Sequence, residues 1–438
     1  MSAVKKRKEK FQKELEFSRR EFLGGAGILA ASAALVNLKG MRGEARAANE
    51  ITAQLPERYG SAHINYVPAT EKNLGTTRIV GPIKQRRQAE DGFFRAVSGE
   101  FGEQSARNYF FHFVNKHPLS HALFKTLGHM AADNVVGGEP APEKLPIPDP
   151  ERMSRHIKEL GFFLRADDVG IGVMQHHASY SERFLAHPTP EGKIDISTPV
   201  EDNSHHKYVI AVLIDQDLRT MLGSTGYDGI SASQSFRSYA TSGFIAVIMA
   251  DYIRMLGYNA RAHHAENYNM ILAPNLIAAG MGEHSRACDC VMHPRLGYRT
   301  KAAVVSTDLP LVPDTPIDFG GMEFCRRCKK CAEECPSKAL SFETEQSEYN
   351  GYMCWPGDMA KCTLFRINNP QGVSCGRCMK VCPWNNKEDS FIHSGGLQLA
   401  GRVPGADGLL KDVDDMLGYG TEQIEEFKWW LDWPEMYK

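Results

Sequence analysis

The chain has 438 residues, 42% of them apolar, with 51 Lys and Arg against 53 Asp and Glu. A sequence of this size buries a large core in more than one structural unit and reads as globular, with no dominating disordered tail. Residues 1–47 hold 11 of the Lys and Arg and 5 of the Asp and Glu, so the remainder carries a formal charge of −8, which argues against a nucleic-acid partner.

At the start, KKRKEK (5–10) precedes Ser18-Arg19-Arg20-Glu21-Phe22-Leu23 and an apolar, small-residue run from Phe22 to Leu38. The run falls short of the roughly 20 residues a spanning helix needs. Ala45-Arg46-Ala47 then supplies an A-x-A cleavage site. Residues 1–47 therefore resemble a twin-arginine signal peptide. The alternative is an anchoring N-terminal helix, for which the Gly and Ala content is poorly suited. Proteins with such signals are exported folded, so the resemblance implies a cofactor inserted before export by the twin-arginine translocase.

Residues 48–150 are expected to form a loop-rich unit, with PAPEKLPIPDP at 140–150 as an extended linker. From 151, RMSRHIKELGFFLRADDVGIGVM predicts a helix ending at Gly161 and a short strand. KYVIAVLID (207–215) and TKAAVVSTDLPL (300–311) predict strands. Between them, SFRSYATSGFIAVIMADYIRMLGYNA sets Ile245, Ile248, Met249, Tyr252, Ile253 and Leu256 at helical spacing, with Gly257 as C-cap. Helices alternating with apolar strands over 151–317 indicate an α/β or α+β core. No G-x-G-x-x-G after a strand, Walker loop, H-E-x-x-H or G-x-S-x-G occurs.

Eight of the eleven cysteines fall in two blocks, each ending in Cys-Pro. The first is Cys325, Cys328, Cys331 and Cys335; the second is Cys362, Cys375, Cys378 and Cys382. Thiolates two residues apart can wrap one face of a cubane cluster, and in two-cluster ferredoxins the fourth cysteine ligates the other cluster. On that arrangement Cys325, Cys328, Cys331 and Cys382 hold one 4Fe-4S cluster, and Cys335, Cys362, Cys375 and Cys378 the second. Zinc sites are the structural alternative, but they do not require C-x2-C-x2-C-x3-C-P. Cys354 competes with Cys362 as opener of the second set; otherwise Cys288, Cys290 and Cys354 read as ordinary buried thiols. The cluster segment is set at 318–390 and a C-terminal tail at 391–438. Within that tail, FKWWLDWPEMYK suits a membrane interface, a channel cover or plain packing over the core.

The order SRREFL, FRSYATSGFIAVIMADYIRMLGYNARAHHAENYN, GMGEHSR, HPRLGYRTKAAVVSTDLPL and two cysteine blocks ending in CPWN resembles the corrinoid-dependent reductive dehalogenases of organohalide-respiring bacteria. The resemblance covers nearly the whole chain to about residue 390. It implies an α+β fold, with a nitroreductase-like core enclosing base-off cobalamin and a ferredoxin-like domain carrying two 4Fe-4S clusters. The D-x-H-x-x-G motif by which many cobalamin proteins ligate cobalt is absent. By the same resemblance Tyr239 is the proton donor, at the opening of its helix, helped by Asn267 and by Arg299, with Arg295 as the rival arginine. The pairs His176-His177, His205-His206 and His263-His264 receive no ligand role. The implied activity replaces a carbon-bound halogen of a small organohalide by hydrogen, or eliminates vicinal halides, as terminal reductase of organohalide respiration. The implied place is the outer face of the cytoplasmic membrane, on a small integral-membrane anchor protein and fed by a respiratory chain. Two other readings stand beside it. An epoxyqueuosine reductase-like enzyme shares the clusters and the C-P-W-N ending, and a pure electron carrier would lack the corrinoid.

Overall fold

The computed structural model describes residues 59, 63–184, 187–188, 194–195, 198–287, 290–385, 406–416 and 418–436. The expected signal at 1–47, Cys288 and the first part of the expected tail, 391–405, lie outside them. In chain order the elements used below are α1 (Pro118–His129), α2 (Pro150–Phe163), β1 (Asp168–Val173), β2 (Tyr208–Asp215), α3 (Leu218–Gly223) and α4 (Gly229–Met255). They continue with β3 (Ala260–His263), α5 (Leu272–Ala278), β4 (Thr300–Thr307), α6 (Gly321–Cys328), α7 (Met359–Asn368) and α8 (Arg377–Lys380).

The two apolar runs of the sequence pair with each other. β2 and β4 are antiparallel from Tyr208↔Thr307 to Asp215↔Thr300, and β1 and β3 flank them in the order β3-β4-β2-β1. Successive residues of a strand point to opposite faces, and here both faces are covered. Ile210, Val212, Ile214, Ala303 and Val305 pack on Ile245, Met249 and Ile253 of α4. The alternate residues Val209, Ala211, Leu213, Ala302 and Val304 pack on Ala273, Leu276 and Ile277 of α5. This is why the strands read as continuous apolar runs.

Helix α4 starts ten residues before Tyr239, so that Tyr239 lies inside the helix and does not open it. Asp228 caps it by accepting from Ser231 N at 3.0 Å. The first turns are polar yet buried, because their hydroxyls find partners inside: Ser233 Oγ donates to Gly229 O at 2.8 Å and lies 2.9 Å from Ser120 Oγ of α1. At the other end Gly257 takes φ +83° where the chain leaves the helix, as the sequence predicts.

Residues 48–150 are less loop-rich than their composition suggests. They contribute helices at Gly92–Val97 and Glu103–Asn108, a π-helical turn at Tyr109–Phe113, and α1. From Pro56 onward they belong to the same compact unit, Pro56–Lys438, as the core and the cysteine blocks.

The cysteine-bearing helix α6 is held at both ends by one short stretch of the core, Glu283-His284-Ser285-Arg286. The buried Glu283 carboxylate accepts from Phe319 N (2.6 Å), Gly321 N (3.1 Å) and Met322 N (3.0 Å) at the helix start. The buried Arg286 guanidinium donates to Cys325 O and Arg326 O, both at 2.9 Å, near the helix end, and lies 4.5 Å from the Trp355 ring centroid. A negative group at the N-terminus and a positive one at the C-terminus both oppose the helix dipole. The second block docks through Trp384 and Asn385: Trp384 Nε1 donates to Pro294 O at 3.2 Å, and Asn385 Oδ1 accepts from Tyr298 N at 3.1 Å. Gly297, at φ +62°, allows this approach, since a Cβ there would lie 2.7 Å from Asn385 N. Trp430 packs on Gly223 of α3, while Trp429 and Trp433 stay exposed. Among the described residues no helix is long and apolar enough to cross a membrane.

Glu283→Ala would leave three buried N–H groups unpaired, at about 1–3 kcal/mol each. The expected outcome is loss of iron on mild warming well before the core unfolds, read by comparing the visible absorption and the far-UV circular dichroism melts.

Candidate active site

The cysteines of the two blocks come together in the structure. Helix α6 presents Cys325 and Cys328, the chain turns through left-handed Lys329 at φ +52°, and Cys331 follows. Burial raises the pKa of the Cys382 thiol, and neighbouring Cys325 and Cys331 raise it further. Cys328 is pushed up by burial and then by Cys331, Cys382 and Cys325. In the second set burial pushes Cys375 up to about 12, with contributions from Cys362 and Cys335. Cys378 is raised by burial and then by Cys375, Cys290, Cys362 and Cys331. Cys331, Cys362, Cys378 and Cys382 pack against the same buried cluster as Cys335, so the cysteines of both blocks lie together. Cys354 ends the strand Tyr352–Cys354 opposite Ser347, and burial pushes its thiol up to about 11. Cys290 packs against the second set, closer to the cluster segment than an ordinary core thiol.

Buried thiols in apolar surroundings favour the neutral form, and coordination to a metal deprotonates them outright. A zinc site would bring four donors to about 2.3 Å from one centre. Among the described residues no three His, Cys, Asp or Glu side chains converge in that way.

The cluster segment meets the core at Met379, which follows Cys378. Its Sδ accepts from Gln216 Nε2 at 3.2 Å and from Lys301 Nζ at 3.3 Å. Lys301 is the second residue of β4 and lies on the face, with Ala303 and Val305, that packs on α4. Its ammonium sits 4.9 Å from the centroid of the Tyr239 ring, in cation–π range. Burial works against the Lys301 charge, but Tyr239 and Cys290 outweigh it and leave the pKa above the usual lysine range. Tyr239 is half-buried and packs with Phe113 and Phe236.

Two expected helpers are differently employed. Arg299 is 1% exposed and holds Asp215 through Nε (2.7 Å) and Nη2 (3.2 Å). Burial pushes Asp215 up to about 6 although Arg299 pulls it down; the short two-point contact favours the ionised pair over that value. Arg295 donates from Nη2 to Asp167 O at 2.9 Å. The cation over the Tyr239 ring is Lys301, while Arg299 pairs with Asp215. Asn267 is equally committed: its Oδ1 accepts from Arg261 Nη2 (2.8 Å), and its Nδ2 donates to Ala131 O (2.7 Å) and Asp133 Oδ1 (2.9 Å). Its amide fastens a loop and has no donor left for a substrate. The histidines serve the scaffold, with His206 Nδ1 and His263 Nε2 at 2.8 and 2.9 Å from Ser306 Oγ.

Residues 324–386 match the 4Fe-4S dicluster domain family. The chain is 29% identical over 302 residues to the tetrachloroethene reductive dehalogenase of Sulfurospirillum multivorans, a match that takes in 63% of this chain and 58% of that one. It is 36% identical, with a TM-score of 0.75, to the solved structure of the catabolic reductive dehalogenase NpRdhA in complex with 3-bromo-4-hydroxybenzoic acid. That alignment covers 84% of this chain and 50% of the solved one. The chain is thus similar in sequence and in fold to reductive dehalogenases. It spans just over half the length of these relatives, and its α+β fold with a dicluster segment is the one expected for a reductive dehalogenase. The epoxyqueuosine reductase of Bacillus subtilis is similar over a shorter stretch, 28% identical across 26% of the chain.

Replacing one thiol separates the two tetrads from their neighbours. Cys378→Ser is expected to lose roughly half of the bound iron, whereas Cys354→Ser retains it all, by iron and sulfide determination on anaerobically purified protein.

Proposed function

We propose that the protein is a reductive dehalogenase of a small organohalide, with chloride as the expected leaving group, acting through a corrinoid and two 4Fe-4S clusters. The observation that carries the reading is the Lys301 ammonium held over the Tyr239 ring beside the Cys375–Cys378 segment. Replacing halide by hydrogen consumes two electrons and one proton and releases an anion. Base-off cobalamin, when bound, would supply low-potential cobalt to deliver the electrons at the carbon–halogen bond. Tyr239 and Lys301 on the core side, with Cys290 and Met379 on the cluster side, are the residues that would face it.

The chain's own part is the proton. A phenol of pKa near 10 is a weak donor unless its anion is stabilised, and a neighbouring ammonium does this. Lys301 is suited to it because burial removes competing water while Tyr239 and Cys290 keep it charged. The apolar flank of Tyr239, formed by Phe113 and Phe236, favours an organic halide over water. The two cysteine tetrads would hold the clusters that renew the electrons one at a time.

The same reading makes the enzyme a terminal reductase of organohalide respiration. It would be exported by the twin-arginine translocase, seated on a small integral-membrane anchor protein at the outer face of the cytoplasmic membrane, and fed by an electron-donating respiratory chain. The support is the twin-arginine-like start and the acidity of the chain beyond residue 47.

Anaerobic reconstitution, then chromatography of reductant-driven turnover over chlorinated ethenes, ethanes and haloaromatics, tests the activity. Tyr239→Phe is expected to lower kcat by about 10²- to 10⁴-fold with iron and corrinoid content unchanged. Lys301→Met should lower it similarly, and Lys301→Arg should restore part of the loss. Full activity in Tyr239→Phe would remove Tyr239 as the donor.

A further inference from the structure

We infer that Arg286 sets the electron affinity of the cluster on the first cysteine block: its buried charge has no counter-ion in the protein and acts on that cluster, favouring the reduced form. This rests on the two-cluster part of the reading above.

Arg286 is 1% exposed, and every hydrogen bond of its side chain ends on a backbone carbonyl. Nε donates to Cys325 O (2.9 Å), Nη2 to Arg326 O (2.9 Å), and Nη1 to Ser341 O (2.9 Å) and Glu343 O (2.7 Å). The guanidinium carbon lies 4.5 Å from the Trp355 ring centroid. Carbonyls and a ring satisfy the N–H groups but offer only partial charge, and no carboxylate pairs with Arg286 among the described residues. A guanidinium stays protonated, and a buried ion without a counter-ion is expensive.

What answers the charge lies on the cysteine block. Burial works against the Arg286 charge, and the groups that support it are the thiols of Cys325, Cys331 and Cys328. The effect is mutual. Burial pushes Cys325 up to about 11, while the backbone N–H and the charge of Arg286 pull it down by more than Glu283 pushes it up. A second buried cation of this block is placed differently. Lys330, also 1% exposed, lies between Cys328 and Cys331 in sequence, yet Asp414 (3.0 Å) and Asp415 (2.9 Å) hold its ammonium. Its charge is cancelled where it stands, whereas that of Arg286 is not.

Four thiolates outweigh the positive charge of a 4Fe-4S core, so the bound cluster is an anion, and one-electron reduction makes it more negative. A fixed cation therefore stabilises the reduced form more and raises the potential, for which net charge is one of the determinants. The electron comes from a low-potential one-electron donor and stays on iron; no proton is taken up and no bond is broken. Arg286 thereby eases the loading of this cluster, while the second block adjoins the core through Met379.

The test is a reductive titration of the anaerobically reconstituted full chain with titanium(III) citrate, followed by electron paramagnetic resonance. Alkaline buffer keeps Glu283 ionised, since burial pushes its carboxyl up to about 7. At fixed ambient potential, Arg286→Gln is expected to lower the reduced-to-oxidised ratio of one cluster by about tenfold, equal to about 59 mV. Arg286→Lys should keep most of the ratio, and Glu283→Gln, which removes the opposite charge, should raise it. Arg326→Gln, at an arginine already paired with Glu323 and Glu345, should leave it unchanged. Loosening of α6 would move Arg286→Gln and Glu283→Gln in the same direction; a charge effect moves them apart. An unchanged ratio in Arg286→Gln, equal displacement of both clusters, or shifts of one sign in the two variants overturns the inference. Should Arg286→Gln fail to hold its iron, a raised ratio in Glu283→Gln with a near-wild-type ratio in Arg286→Lys supports the inference, and any other result overturns it. Holoprotein that shows these shifts but consumes no organohalide ends the dehalogenase reading and leaves the role of Arg286 standing.

Discussion

The geometry depends on the fixing of helix α6 between two opposite charges supplied three residues apart. Glu283 takes the N–H groups at its start and Arg286 the carbonyls at its end. Both groups are buried, where an unpaired ion is expensive, and each completes its hydrogen bonding on the helix, which favours one position for it. That position sets Cys325 and Cys328, and through them the place at which the returning second block can meet the first. A flexible surface linkage would leave the distance between the electron-carrying segment and the core undetermined; a buried two-ended charge clamp fixes it.

Lys301 completes the connection from the core side. Its stem leaves a strand whose next residues, Ala303 and Val305 on the same face, are apolar, and its ammonium is shared between an aromatic face and a methionine sulfur, both soft partners. Weakly competing neighbours leave most of its field available to Tyr239. A carboxylate in the place of Met379 would neutralise it. Arg299, by contrast, spends its charge on Asp215 and serves to hold the edges of β2 and β4 together.

Much of this was legible in the sequence, for physical reasons that also show where legibility ended. The strands were visible because both of their faces are buried, and the tetrads because ligand spacing reflects the turns that wrap a cluster. The start of α4 was hidden because Ser231, Ser233 and Gln234 look solvent-seeking, while their hydroxyls and amide bond inside. Lys301 did leave a signal: a lone lysine in register with Ala303 and Val305 in a buried strand has to have an internal partner. Arg299, two residues earlier, drew attention because a guanidinium is the more familiar anion stabiliser, and only three-dimensional contact shows that Asp215 claims it.

The grouping of the sulfurs is also an ordering of loops. The set that opens with Cys325 closes only at Cys382, and the other set, from Cys335 to Cys378, lies wholly inside that interval, like one bracket pair within another. Closing the outer interval restricts everything between its ends, while closing the inner one leaves both outer ends free. On the expected grouping the two clusters would therefore be unequal as fasteners: loss of the inner one would leave the segment held across the longer interval, whereas loss of the outer one would leave only the shorter interval held and both flanks free.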